Sequence, residues 1–273
     1  MVAAVLGTVI VENQGGASGS LAAATVSHAR PDGYTILLGA SSIHLIELIL
    51  KSRPLYDPIK DLQPITILAI NAFAIAVHPS VPARTVKDLI DYARANPGKV
   101  SYGTTGVGSL QHLAGELLKS LTGGPDIVHV PYRGAGPATA DLLAGQVPMV
   151  ILSMTGQILE FHRSGKLRVL AVTSPGRLVA APEIPTAVEA GFPTVIAQQA
   201  IGLFAPTGTP TPIIARISEA TRTAMAEKAY QQLLIEGAFE PQFDWTPERF
   251  RRFLDEDIAR WTPVVKAIGV RLD

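Results

Sequence analysis

The feature that most constrains this chain is a regular alternation between residues 100 and 172. Short β-rich runs at 100–102, 127–130, 147–152 and 167–172 alternate with helix-like stretches. The clearest of these stretches places Leu110, Leu113, Ala114, Leu117, Leu118 and Leu121 on one face of a helix. Gly123, Gly124 and Pro125 then stop it, and Gly145 and Gly165 close the two helices that follow. Four strands separated by three helices predict a parallel sheet with helices on both faces.

The chain has 273 residues. At roughly 150 residues per domain that means about two domains or one large α/β unit. The 23 basic and 23 acidic side chains cancel. A chain without a basic field does not replace counterions around phosphates, so a nucleic-acid partner is excluded. The most apolar run, 65–77, is interrupted by Thr66 and Asn71. It is shorter than the roughly 18–20 residues a membrane-spanning helix needs. With no cysteine, disulfides, thiolate metal sites and cysteine nucleophiles are all ruled out. Residues 1–6 are apolar but short, and no Lys or Arg precedes Arg30. That pattern does not read as a signal peptide.

Outside the alternating region, 9–11 and 35–38 read as short strands. The stretch 86–95 reads as a helix capped by Thr85 and ended by Asn96-Pro97-Gly98. A strand is expected at 200–204, and beyond Pro212 the pattern is helical only. Thr211-Pro212 and Thr246-Pro247 both read as N-cap and first-turn pairs.

The strongest chemical signal is the loop Thr104-Thr105-Gly106-Val107-Gly108-Ser109, which joins a strand to the best helix. Small residues there allow close backbone approach, and a helix start offers unpaired N–H groups at its positive end. An anion gains roughly 0.3–2 kcal/mol from that dipole. The alternative is an ordinary glycine-rich βα turn. The glycine spacing does not match a dinucleotide-binding loop. Two further loops, Tyr132-Arg133-Gly134 and Ser153-Met154-Thr155, also follow strands. Ligands of open α/β sheets gather at such strand ends. Arg133 alone reads as a solvated charge. Ser41, Ser42 and His44 form a comparable element after the 35–38 strand, although a lone histidine such as His44 is more often structural. The histidines show no metal-ligand spacing, and no G-x-S-x-G elbow or acid/base pair is visible. The chain carries binding equipment without a catalytic set, and no cofactor is called for.

Several long motifs carry a resemblance. Val9-Ile10-Val11-Glu12-Asn13, Pro31-Asp32-Gly33-Tyr34-Thr35, His78-Pro79-Ser80-Val81-Pro82, His129-Val130-Pro131-Tyr132-Arg133-Gly134 and Leu143-Ala144-Gly145-Gln146 closely resemble the Bug/TctC family. Members of that family are extracytoplasmic solute receptors of tripartite tricarboxylate transporters. The match runs from about residue 7 to the end.

The resemblance implies an α/β, two-lobe periplasmic-binding-protein-like fold of type II, joined by crossing strands. One lobe is expected at 1–75 plus 206–273 and the other at 76–205. The first lobe would lack its N-terminal βα unit, residues 1–6 matching only the tail of a helix. Carried over position by position, the ligand-binding residues are Ser41, Ser42, His44, Thr104, Thr105, Gly106, Gly108, Ser109, Tyr132 and Ser153. Ser153 stands where many relatives carry an acid, which disfavours an amino-bearing ligand. Ala200-Ile201 replaces an aromatic pair. The implied partners are a small carboxylate and integral-membrane transporter subunits, with the receptor itself a monomer in the periplasm. The competing expectation is a cytoplasmic α/β enzyme acting on a small anionic substrate.

Overall fold

The computed structural model describes residues 7–124 and 126–272, so the expected helix tail at 1–6 and the stop at Pro125 lie outside the described residues. The chain divides into two compact units: Met1–Ile70, Gln199–Leu234 and Pro241–Asp273 form one, and Asn71–Gln198 with Ile235–Glu240 the other. The divisions near Ile70 and Gln198 fall a few residues before those read from sequence. The return of 235–240 to the second unit was not foreseen. It follows from local anchoring: the Gly156 N–H donates to the Gly237 carbonyl at 3.1 Å, and Ala238 is buried in that unit's core.

In the first unit, α1 (Ser20–Ser27) precedes β1 (Leu37–Ala40), and α2 (Ser42–Leu45) runs on into a π turn at Ile46–Leu50. The long strand β2 (Leu62–Val77) gives its first half to this unit and its second half to the other. The second unit continues with α3 (Val86–Ala95), β3 (Val100–Thr104), α4 (Leu110–Leu121), β4 (Ile127–Pro131), α5 (Ala135–Leu143), β5 (Met149–Ser153), α6 (Gly156–Arg163) and β6 (Arg168–Val172). Then β7 (Gln198–Pro206), α7 (Thr211–Met225), α8 (Lys228–Glu236), β8 (Glu240–Pro241) and α9 (Pro247–Ile268) complete the chain.

Strands β3, β4 and β5 are parallel, as the alternation predicts. The sheet as a whole is mixed. β2 lies antiparallel between β5 and β6, with Ile75 opposite both Ile151 and Ala171. Residues 71–77 are therefore buried throughout, as expected for a central strand covered on both faces. The βα alternation alone does not supply the antiparallel partners of β2, which lie about 75 to 100 residues downstream. Buried Val150, Leu152, Ile158, Val169 and Val172 pack with β2's alanines into this unit's core. At α3, Thr85 accepts from the Asp88 N–H and Asp88 reaches back to the Thr85 N–H, a reciprocal capping box.

In the first unit β1 pairs antiparallel with β7, Leu37 opposite Phe204. Phe204, Phe250, Leu254, Leu62 and Ile67 form its main cluster. Three sequence expectations change here. Residues 9–11 form no strand, and Val9, Ile10 and Val11 are 52, 80 and 77 % exposed. A short apolar run is not a strand until a neighbour accepts its backbone hydrogen bonds. Thr211 is the first residue of α7 and Pro210 its N-cap, whereas Thr246 does cap α9 by accepting from the Arg249 N–H. The region beyond Pro212 is not wholly helical, because β8 joins β2.

Candidate functional site

The loop from Thr104 to Ser109 is built by β3 on one side and α4 on the other. Ser109 has extended backbone and is the N-cap of α4: its Oγ accepts the His112 N–H at 3.2 Å and donates to the Gly106 carbonyl at 2.8 Å. Its hydroxyl proton is thus committed inside the loop. Ser109→Ala is expected to lower stability by about 0.5–2 kcal/mol, the usual loss for a serine cap, read from the urea midpoint.

Thr104 is fully buried and also works inward. Its Oγ1 lies 2.7 Å from His129 Nε2 and accepts the Gly106 N–H at 3.2 Å. The Gly108 N–H donates to His112 Nδ1 at 3.1 Å. Thr105 donates its hydroxyl to Gln111 Oε1 at 3.3 Å. What remains open to the outside is the crest: Thr105 and Gly106 are half-buried and Val107 is exposed. The amides of Thr105 and Val107 find no partner among the described residues. Gly106 reaches this geometry with φ near 131°, a backbone region that side chains avoid.

Beneath the loop, the His112 and His129 rings stack with centroids 3.9 Å apart and planes 19° from parallel. Burial pushes the His129 imidazole down to about 4, and the neighbouring His112 adds to the effect. Burial lowers His112 as well, against the pull of Glu116. Glu116 accepts from the Tyr102 hydroxyl at 2.7 Å and from Lys119 at 2.9 Å. Those bonds hold its carboxyl below the usual range although burial opposes them. Burial and then Glu116 raise the Tyr102 phenol.

Tyr132 flanks the same strand end. Its N–H donates to the Thr104 carbonyl at 3.0 Å and its hydroxyl to Asp141 Oδ2 at 2.8 Å. Burial and Asp141 push the phenol up to about 12, so it presents a wall and not a free donor. Arg133 is exposed, as its sequence reading held. Ser153 is half-buried at the end of β5, opposite Phe73 of β2.

In the first unit, Ser41 is buried and bonded to β7. Its Oγ accepts the Ala200 N–H at 3.1 Å, and its own N–H donates to the Ala200 carbonyl at 2.8 Å. Ser42 is half-buried at the start of α2. His44 is completely buried, 4.9 Å from the Phe204 ring, and neither ring nitrogen has a partner among the described residues. Burial, and secondarily Arg251, pushes it down to about 3. The structure therefore brings Thr104, Thr105, Gly106, Gly108, Ser109 and Tyr132 together and assigns most of their polar atoms to shaping the loop. In the sequence, His129 stands only within a motif and His112 is not among the expected site residues. Their shared role has no local signal, since it needs β4 and α4 to converge. A separate cleft of about 690 Å³ in the second unit is lined by Arg84, Lys87, His162 and Arg168 among others. It contains none of the expected site residues.

The model of the tripartite tricarboxylate transporter family receptor matches residues 2–270. This chain belongs to that receptor family. Protein BugT of Bordetella pertussis is 34 % identical over 265 residues, covering 97 % of this chain and 80 % of that protein. An R. palustris protein solved with adipate superposes with a TM-score of 0.89 at 32 % identity, over 99 % of this chain and 91 % of the other. MatC from Rhodopseudomonas palustris with bound malate gives a TM-score of 0.85 at 29 % identity, over 97 % and 90 %. The family's receptors have the mixed α/β, periplasmic-binding-protein architecture described above. Among the described residues, no helix is long and apolar enough to cross a membrane.

Proposed function

We propose that this receptor captures a small carboxylate in the periplasm and delivers it to the membrane subunits of a tripartite transporter, without chemistry of its own. The observation that carries the reading is the crest of the 104–109 loop. It carries the unpartnered amides of Thr105 and Val107, a few residues ahead of a 12-residue helix. Backbone N–H groups and a helix dipole at one point suit a carboxylate. The adipate and malate held by related proteins are ligands of that chemistry. Tyr132 walls the crest, and Ser153 is assigned as a further polar contact from the same unit. The imidazoles nearest the loop are stacked and hydrogen-bonded inward, a poor arrangement for acid/base work on a substrate.

The test is a melting-temperature screen against mono- and dicarboxylates that include adipate and malate. A ligand that binds only the folded state adds about 2.7 kcal/mol at a hundred times its dissociation constant. We expect a clear upward shift with at least one member of the panel. Gly106→Val, strained by about 1–3 kcal/mol at its positive φ, should still fold but lose that shift. Consumption of the same compounds, followed by NMR over hours, would instead favour the enzyme.

A further inference from the structure

The interior of the loop has a feature that capture alone does not require. Two histidines, His112 of α4 buried and His129 of β4 half-buried, meet face to face beneath it. Between them they hold both loop glycines. His112 Nδ1 accepts the Gly108 N–H directly. His129 Nε2 bonds Thr104 Oγ1, which in turn accepts the Gly106 N–H. With the glycine amides drawn inward, the amides left without internal partners are those of Thr105 and Val107.

We infer that the His112–His129 pair is a positioning device for the anion loop, one that works only while His112 is neutral and that releases bound carboxylate as the pH falls. The inference rests on the reading of that loop as the carboxylate site. Its physical basis is the direction of one hydrogen bond. A backbone N–H can only donate, so His112 must present a bare Nδ1 lone pair and carry its proton on Nε2. Adding a second proton turns Nδ1 into a donor facing a donor. The bond to Gly108 is then lost and a cation is created against the His129 ring.

The groups facing the pair are Tyr102 and Thr104 on β3 and Glu116 and Lys119 on α4. Glu116 favours protonation, while burial and Lys119 oppose it, and burial dominates for both rings. The ordinary imidazole value is near 6.5. The loop is therefore intact above that value and loosens as pH falls below it. His129 tolerates a proton better in hydrogen-bond terms, since Nε2–H can still donate to Thr104. Burial, and secondarily the neighbouring His112, hold His129 below the ordinary imidazole value as well.

Asparagine places an amide oxygen close to where Nδ1 lies and does not titrate, so His112→Asn separates the hydrogen bond from the protonation. The probes are malate and adipate, measured by calorimetry between pH 7.5 and 5.0 with folding checked by circular dichroism. We expect the better-bound probe to lose at least tenfold in affinity across that range with the native protein. His112→Ala should lose about as much already at pH 7.5, and His112→Asn should restore binding and flatten the profile. The probe's own titration is common to all three proteins, so differences between profiles belong to the receptor. Parallel profiles for the native protein and His112→Asn would overturn the inference.

A second readout does not need a ligand. Imidazole ¹⁵N shifts should show His112 protonated on Nε2 alone at pH 7.5. Gly108 amide protection, taken relative to the intrinsic exchange rate at each pH, should fall in acid in the native protein but not in His112→Asn. If neither probe binds at any pH, the carboxylate reading fails while these two measurements still decide the positioning role. An Nδ1-protonated His112, or Gly108 exchange unchanged in His112→Ala, refutes that role.

Discussion

Phe250→Ala should lower the stability of the first unit by about 3–5 kcal/mol, the usual loss when a buried phenylalanine leaves a cavity. Phe250 projects from α9 with no exposure, its ring 4.9 Å from Phe204 and in the same cluster as Leu62, Ile67 and Leu254. Across from it, β7 has a glycine for a packing reason. A Cβ on Gly202 would lie 2.5 Å from the Phe250 ring and 2.7 Å from the Thr66 carbonyl oxygen. Gly202→Ala should therefore also destabilise, by about 1–3 kcal/mol for overpacking. The two changes do not compensate each other. Removing the ring frees one side of the new methyl, but the Thr66 oxygen is backbone in a central strand and stays. Urea unfolding of both single variants and the double would check this. Full recovery in the double variant would show that only the ring defines the fit.

Acid should destabilise the protein well before its surface carboxylates titrate. His44 is fully buried and neutral, and its folded-state value near 3 is far below the ordinary imidazole value. His129, near 4, acts in the same direction. In the unfolded chain these rings take up protons at about pH 6.5, so the unfolded state binds more protons than the folded state below that pH. Stability is then complete above about 6.5 and declines as pH falls toward 4 and then 3. For the fully buried His44 the loss is on the order of several kcal/mol once the pH reaches its folded value. His44→Phe should remove much of that slope, because the site is apolar on its Phe204 side and leaves the ring nitrogens unpaired. Melting temperatures from pH 7.5 to 4 for both proteins give the comparison. An identical slope would place the acid sensitivity elsewhere.

Much of the second unit is legible from sequence because its elements are bounded by short-range chemistry. Helix α4 spans Leu110–Leu121 as its leucine periodicity predicts. Thr85 and Thr246 cap where their hydroxyls precede a helix start. Such signals act over three or four residues, so they survive without knowledge of the rest of the chain. The same locality is why residues 9–11, apolar and β-branched, misled: strand propensity is realised only against a partner.

The candidate loop was visible as a run of glycines and hydroxyls, but not what each atom does. A hydroxyl that caps its own helix and one that faces a ligand have the same sequence signature. Ser109 and Thr104 are separated from ligand-facing residues only by their bonds to Gly106, His112 and His129. Likewise β2 takes its place beside β5 and β6 through pairings between residues about 75 to 100 positions apart. Sequence alone thus determined most of the elements, the caps at Thr85 and Thr246, and the family. Tertiary structure alone decided which buried faces meet, because matching of apolar surfaces and pairing of buried polar atoms are properties of two distant segments at once.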